Sequence, residues 1–485
     1  MLGRPFALDL PGTVGEVGEE VSPLTGDALG ITYPKLDADE AYAAVTAAQR
    51  DWRRVPVPER AGVCLEMLDR LGSAESLFVN AHATVHTAGQ SFIMAFAGWE
   101  RRFGAGPETR LEKRYRIMPR GVGVVITCAT FPQWNGYPAI MANLATGNGV
   151  IVKPHPRTTL PVALFVRTLR EVLAETGHDP NLVIMAADTE VAPNTLEFIR
   201  HPDCAIIDFT GGPRFGGWIE KNCADRLVFT ETAGCNSVVI ESVDDFDAVR
   251  RAVAHSLCQA SAQMCTSVQN IFVPRGGIEA DGRHLSFHEV AAGIVDAVEE
   301  FLADPKQAGN LCGALVDPRI LQQIDQIRDA VTERGTLLRD SAPYEHPDYP
   351  HARTATPLIG RVDAAADDLY GEEHFGPISF VIAVDDPDHA LARATEDVRR
   401  HGAITSHVYS TNDEFLERAE DAYHEAGASL SCNLTGMPIN FAAAYSDFHV
   451  TGLNPAGNAC LADLDFVTGR FRWVQTRWPR RSDAA

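Results

Sequence analysis

The chain has 485 residues, of which 45% are hydrophobic and 22% charged, and carries a net charge of −23. That length exceeds what one compact core organises, so two or three domains are expected, and the strongly acidic balance argues against nucleic acid or an anionic membrane as a partner. No apolar run is long enough to span a bilayer and the first residues, MLGRPFALDLPG, do not resemble a secretory signal, so a cytosolic protein is expected.

Along the chain, residues 40–105 carry helical periodicity, with Ala44, Val45, Ala48 and Trp52 followed by Leu65, Met67, Leu68 and Leu71. From 121 the texture changes. GVGVVITC (121–128) predicts a strand, 137–146 a helix, VIV (150–152) a strand and 159–176 a long helix. LVIMAA (182–187), CAIIDF (204–209) and RLVFTE (226–231) are further strands separated by helices, a βαβ series that predicts a parallel, doubly wound sheet. A second series follows: SVVI (237–240), a helix over 244–262, NIFV (270–273), SFVIAV (379–384), ITSHVYS (404–410) and SLSCN (429–433). Residues 336–356, rich in Pro, His, Asp and Tyr, read as loop. The closing FVTGRFRWVQTRW alternates β-formers with basic residues and reads as an edge strand, to be paired either within the subunit or with another chain.

The ends of these strands are where an α/β sheet binds ligands, and several polar residues fall there. Lys153 and Pro154 follow VIV, with His155 and Arg157 just beyond. Thr210-Gly211-Gly212-Pro213-Arg214-Phe215-Gly216 follows CAIIDF and makes a glycine-bracketed strand-to-helix turn suited to an anion. Glu231 closes RLVFTE, Asn135 sits where a strand turns into a helix, and Cys265 lies between a predicted helix and NIFV. Taken singly, each has an ordinary structural role: a turn, a solvated strand end, a helix cap, a small core thiol. Ten cysteines are scattered through the chain without a CxxC pair or zinc-like spacing to histidine, so no metal site is expected.

The ordered set changes the reading. FPQWN with Asn135, VKP with Lys153, FTG with Thr210 and Gly211, the strand-end TETAG with Glu231, QMC with Cys265 and EEHFGP with Glu373 and Phe375 occur in one order over nearly the whole chain. In these motifs the sequence resembles the aldehyde dehydrogenase superfamily. SPLTGDALG near the start and SDFHVTGLNPAGN near the end resemble that family's opening and closing segments. The resemblance implies an α/β aldehyde-dehydrogenase-like fold with two Rossmann-like parallel-sheet domains and a small β oligomerisation element. Residues 1–100 and 122–233 would bind NAD(P)⁺, 234–445 would carry the catalytic cysteine, and 101–121 with 453–485 would form the oligomerisation element of a homodimer or homotetramer.

It also implies roles. Cys265 would be the nucleophile, Asn135 the oxyanion donor together with the Cys265 backbone N–H, and Glu231 the general base. Lys153 would hold the adenosine ribose, Gly211 and Gly212 the pyrophosphate turn closed by Gly216, Glu373 the nicotinamide ribose and Phe375 one side of the nicotinamide. Trp134, Tyr137, Met264, Thr266, Tyr445 and Phe448, by adjacency to the motifs, would line the substrate pocket. The chemistry explains the residue types. An aldehyde releases hydride readily only after a thiolate has added to it, and the resulting alkoxide needs donors fixed in advance.

Two departures matter. The family's usual Glu-Leu-Gly-Gly-Lys is here Glu231-Thr232-Ala233-Gly234-Cys235; the base is kept and Cys235 reads as a packing residue. Many NAD-using members carry an acidic residue two positions after the Lys-Pro pair, whereas this chain reads Lys153-Pro154-His155-Pro156-Arg157. Without that carboxylate, and with His155 and Arg157 near, NADP⁺ is expected to be accepted and preferred, NAD⁺ being the other candidate. The wording QWNGYP, VKPHP, IIDFTG and QMCTSVQNIFVPR is most similar to the phenylacetic-acid-degradation (PaaN-like) branch, which implies a semialdehyde substrate from aromatic catabolism, a CoA thioester among the candidates. The competing readings are a CoA-acylating dehydrogenase, disfavoured by the presence of Glu231, and a non-catalytic scaffold on the same fold, disfavoured by the retained set of polar residues.

Overall fold

A computed structural model describes residues 2–71, 110–232, 234–446 and 464–480. Two parallel sheets organise them. The first has five strands in the spatial order Val183–Met185, Gly149–Lys153, Val122–Ile126, Cys204–Gly211 and Leu227–Thr232, every neighbouring pair parallel. Numbered along the chain this is the order 3-2-1-4-5 of a mononucleotide-binding sheet. The second has seven strands in the order Thr336–Arg339, Leu358–Asp363, Ile378–Val384, Asn270–Pro274, Ser237–Ile240, Thr405–Tyr409 and Ser429–Cys432, parallel except for the first, which is antiparallel to its neighbour. That edge strand begins the segment expected as loop; its four residues, Thr-Leu-Leu-Arg, precede the Pro- and His-rich stretch that dominated the reading.

Both sheets are buried on their two faces, as parallel sheets require. In the second, alternate residues divide between two cores: Val238, Ile271 and Val381 face one, and Val239, Phe272 and Phe380 the other. The first sheet shares one core with Tyr42, Val45 and Trp52 of the helix Ala38–Trp52 and with Phe466 and Val467 near the C-terminus. The terminal strand Phe471–Arg480 pairs antiparallel with Arg110–Pro119 of the same chain along its full length, leaving Trp473 and Val474 half exposed. No disulfide joins the described cysteines, no helix among the described residues is long and apolar enough to cross a membrane, and no three of their acidic, His or Cys side chains are grouped to hold a metal.

His407, in the strand Thr405–Tyr409, is fully buried and neither ring nitrogen has a hydrogen-bond partner. Burial lowers its pKa to about 4 from the ordinary 6.5. The unfolded chain therefore takes up a proton at this position before the folded one does, so stability is complete above the unfolded pKa and is lost as pH falls from 6.5 toward 4, by as much as about 3 kcal/mol. His407→Leu is expected to flatten the decline of the thermal midpoint between pH 7 and pH 5; an unchanged decline counts against this residue as the cause.

Candidate active site

The carboxyl ends of the first sheet are in register. Lys153 is opposite Ile126, Ile126 opposite Phe209, and Thr210 opposite Glu231 on the adjacent strand. Above them lies a cavity of about 940 Å³ lined from both halves of the molecule. Asn135, Lys153, His155, Thr210, Gly211, Gly212 and Glu231 line it from the first half, and Cys265, Glu373 and Phe375 from the second.

Asn135 stands in the first turn of the helix Pro132–Ala145, which starts earlier than its periodicity suggested because Pro132 occupies a first-turn position where its missing N–H costs nothing. Its side chain does not cap that helix. Asn135 Nδ2 donates to Glu231 Oε1 at 2.9 Å, and Asn135 Oδ1 accepts from Cys128 Sγ at 3.4 Å. The carboxylate demands a donor, so the amide orientation is set. Cys128, a second thiol on the cavity wall, is raised by burial to about 11 and remains a neutral donor at neutral pH.

Cys265 follows an unusual turn. Ala260, Ser261 and Ala262 all have φ near +50°, a left-handed conformation that costs non-glycine residues on the order of 1 kcal/mol or more each. Side chains hold it there: Ser261 Oγ donates to Cys312 O at 3.0 Å, and Gln263 Nε2 donates to Ala260 O and Ala314 O, both at 3.0 Å. Asn236 Nδ2 donates to Cys265 O at 2.7 Å and Ser267 O at 2.9 Å, while its Oδ1 accepts from the N–H groups of Ile404 and Thr405. The Cys265 backbone is thereby tied to the second sheet. Burial, with Glu231, Cys128 and Glu373 nearby, pushes the Cys265 thiol well above its ordinary pKa.

The loop bearing Glu373 and Phe375 is clamped by Gln269. Its Oε1 accepts from His374 N at 2.7 Å, and its Nε2 donates to Tyr370 O and Glu372 O at 3.0 Å. Glu373 is raised by burial to about 8. Gln269, Asn236 and Cys128 were not singled out in the sequence. Their positions flanking Cys265, Glu231 and Asn135 were the one available signal, and adjacency does not show which side chain turns inward.

The turn after Cys204–Gly211 suits an anion. A Cβ on Gly211 would meet the Phe209 ring at 2.7 Å, and one on Gly216 would overlap Thr232 and Phe209, so both must be glycine. Gly212 has open space where a side chain would stand, and it precedes the exposed N-terminus of the helix Pro213–Asn222 with Arg214 beside it.

Other expected site residues lie elsewhere. Tyr137 is buried in the first core against Phe165, and Thr266 is buried with Oγ1 donating to Asn440 O. Trp134 and Met264 are also buried, and none of the four lines the cavity, because both segments turn these positions inward. Phe448 and the side chain of Tyr445 lie outside the described residues. Arg157 stands beside the cavity rather than on its wall, in a bidentate pair with Glu190. Cys235 is buried, with Sγ donating to Gly371 O at 2.8 Å.

The sequence profile of the aldehyde dehydrogenase family matches residues 13–433. The fold superposes on the crystal structure of an NAD-dependent aldehyde dehydrogenase from Burkholderia multivorans with a TM-score of 0.92 and 42% sequence identity, over 99% of this chain and 90% of that one. A 1-pyrroline-5-carboxylate dehydrogenase of Bacillus subtilis is 24% identical over 83% of this chain and 79% of its own length. An NADP-dependent glyceraldehyde-3-phosphate dehydrogenase from Bacillus halodurans, solved with NADP, shares the fold at a TM-score of 0.74 and 17% identity, over 96% of this chain and 95% of that one.

Proposed function

We propose, from the premise that this chain belongs to the aldehyde dehydrogenase family, that it oxidises an aldehyde to the carboxylic acid through an acyl group carried on Cys265. The observation that carries the reading is the convergence of Cys265, Asn135 and Glu231 on one cavity, with the Asn135 amide 2.9 Å from the Glu231 carboxylate. The remainder of that cavity fits a nicotinamide dinucleotide. The glycine turn and the helix N-terminus beside Arg214 suit its pyrophosphate, Lys153 the adenosine ribose and Glu373 the second ribose. Thr210, beside Glu231, completes the turn. When bound, the dinucleotide supplies the hydride acceptor that no side chain provides.

The residues then act in sequence. The Cys265 thiol is protonated at rest, so its proton must leave to solvent as sulfur bonds to the aldehyde carbon; Glu231, lining the same cavity, is the base this reading assigns to the later hydrolysis. Asn135 Nδ2 carries two hydrogens, one engaged by Glu231 and one left for the developing alkoxide, and the Cys265 backbone N–H is its second donor. After oxidation the acyl group is a thioester on Cys265. Glu231 takes a proton from the water that hydrolyses it, and this favours water over CoA as acceptor. Glu231→Gln is expected to lower steady-state turnover by about 10²–10⁴-fold while a first turnover of reduced cofactor persists; loss of the first turnover as well would show that Glu231 also activates the thiol. Free CoA is expected not to accelerate the wild-type enzyme.

On the same reading, residues 1–100 and 122–233 form the cofactor domain and 234–445 the catalytic domain. The ribbon of Arg110–Pro119 and Phe471–Arg480 joins subunits into a dimer or tetramer through its exposed Trp473 face, in the cytosol. The substrate class is a semialdehyde, with ring-opening products of aromatic degradation, free or as CoA thioesters, first to be screened; motif resemblance to the phenylacetic-acid-degradation branch supports that order. A steady-state screen of semialdehydes and aromatic aldehydes with NAD⁺ and NADP⁺ tests it.

A further inference from the structure

We propose that Asp188 and Glu190, delivered from the end of the third strand, make the ribose corner of this cavity select NAD⁺ over NADP⁺. The inference rests on the dinucleotide reading above. In a sheet of order 3-2-1-4-5, the residues just past the second strand meet the adenosine ribose: an acidic side chain there accepts the ribose hydroxyls, whereas an unoccupied arginine accommodates a 2′-phosphate. Here the second strand, Gly149–Lys153, ends in basic residues, Lys153, His155 and Arg157. Taken alone they favour a phosphate.

The structure occupies each of them. Lys153 Nζ lies 2.6 Å from Asp188 Oδ1 and donates to Pro154 O at 3.1 Å, with both members of the pair buried. Asp188 is itself held, its Oδ2 accepting from Asn194 N at 2.9 Å. Arg157 gives Nε to Glu190 Oε1 at 2.9 Å and Nη2 to Glu190 Oε2 at 2.8 Å, a two-pronged pairing that uses the guanidinium edge a phosphate would need. Asp317, on the opposite wall, is 3.8 Å from Arg157. The further arginine at that wall, Arg319, is held by Asp317 and lies 3.8 Å from Glu190. His155 Nδ1 accepts from Arg157 N and its burial disfavours the charged ring, so it adds no positive charge. Three cations therefore face three carboxylates. Of these carboxylates Asp317 lines the cavity, while Asp188 and Glu190 stand behind its wall, each against its cation; a ribose hydroxyl fits such a corner, accepting from Lys153. A 2′-phosphate would have to displace Glu190 or Asp188 from its cation and then sit against the displaced charge.

The carboxylate missing after Pro154 is thus supplied in space by the neighbouring strand, which reverses the cofactor preference expected from the sequence. The test is direct binding of each dinucleotide to the full-length protein by calorimetric titration, alongside kcat/KM for each. Wild type is expected to bind NAD⁺ about tenfold or more tightly than NADP⁺. Glu190→Gln, a half-exposed change that leaves Arg157 only the more distant Asp317, should tighten NADP⁺ by about tenfold and move NAD⁺ by less than about threefold. Asp188→Asn should shift the ratio in the same direction. Equal or tighter binding of NADP⁺ by wild type, or an NADP⁺ affinity indifferent to Glu190→Gln, overturns the proposal and leaves the oxidoreductase reading intact. Binding of neither dinucleotide overturns both.

Discussion

Cys265→Ala is expected to reduce aldehyde-dependent formation of reduced cofactor by about 10⁴-fold or more. No other side chain takes over, because hydride leaves the aldehyde carbon only once sulfur has added. Cys128, the second thiol on the cavity wall, is the apparent substitute, but its hydrogen is engaged by Asn135 Oδ1 while Phe131 N donates to its sulfur. Cys128→Ala should therefore cost little more than the orientation of the Asn135 amide, about tenfold or less. Dinucleotide binding should survive in both variants. If Cys265→Ala and wild type are equally inert toward a broad aldehyde panel with both cofactors, the scaffold reading prevails. The raised Cys265 thiol adds a direction: alkylation of wild type by iodoacetamide should be slow at neutral pH and keep accelerating past pH 9.

The largest effect on stability is expected at Arg470. Its guanidinium is fully buried, pairs with both oxygens of buried Asp208 at 2.8 and 2.5 Å, donates Nε to Phe466 O, and lies between the rings of Phe229 and Phe466 at 4.6 and 4.2 Å. Asn143 Nδ2 also donates to Asp208, and Asn148 Nδ2 and Arg120 N both donate to Arg470 O. One side chain thus anchors the C-terminal segment to the strand that carries the glycine turn. Removing it leaves the Asp208 carboxylate buried without its counter-charge, a loss of about 3–5 kcal/mol. Arg470→Ala should lower the unfolding midpoint accordingly. Arg470→Met combined with Asp208→Leu should recover much of the loss, since the penalty comes from the orphaned charge rather than from the missing attraction. A double variant no better than Arg470→Ala would show that the anchoring geometry matters more than the charge.

How far the sequence reaches is clear from these sites. The strands were legible because parallel sheets are buried on both faces and leave short apolar runs such as SVVI and NIFV between helices. Cys265, Glu231, Asn135 and Lys153 were legible as an ordered set, though each was ordinary alone. Arg470 was not, since a basic residue in an alternating terminal strand reads as exposed until its partner 262 positions away is seen. Asp188 and Glu190 were not legible for the same reason: they reach Lys153 and Arg157 from beyond the neighbouring strand, a pairing that no local pattern records. The left-handed turn at Ala260–Ala262 is built from residues with no preference for it, so tertiary hydrogen bonds and not local propensity impose it.

The central claim is that the acyl group passes through Cys265, and quenched mass spectrometry of the Glu231→Gln protein tests it most directly. With aldehyde and dinucleotide present, the peptide containing Cys265 is predicted to carry the substrate's acyl group in place of the thiol hydrogen, accumulating because hydrolysis has been slowed. No adduct under turnover conditions, or an adduct on the Cys128 peptide instead, would contradict the account.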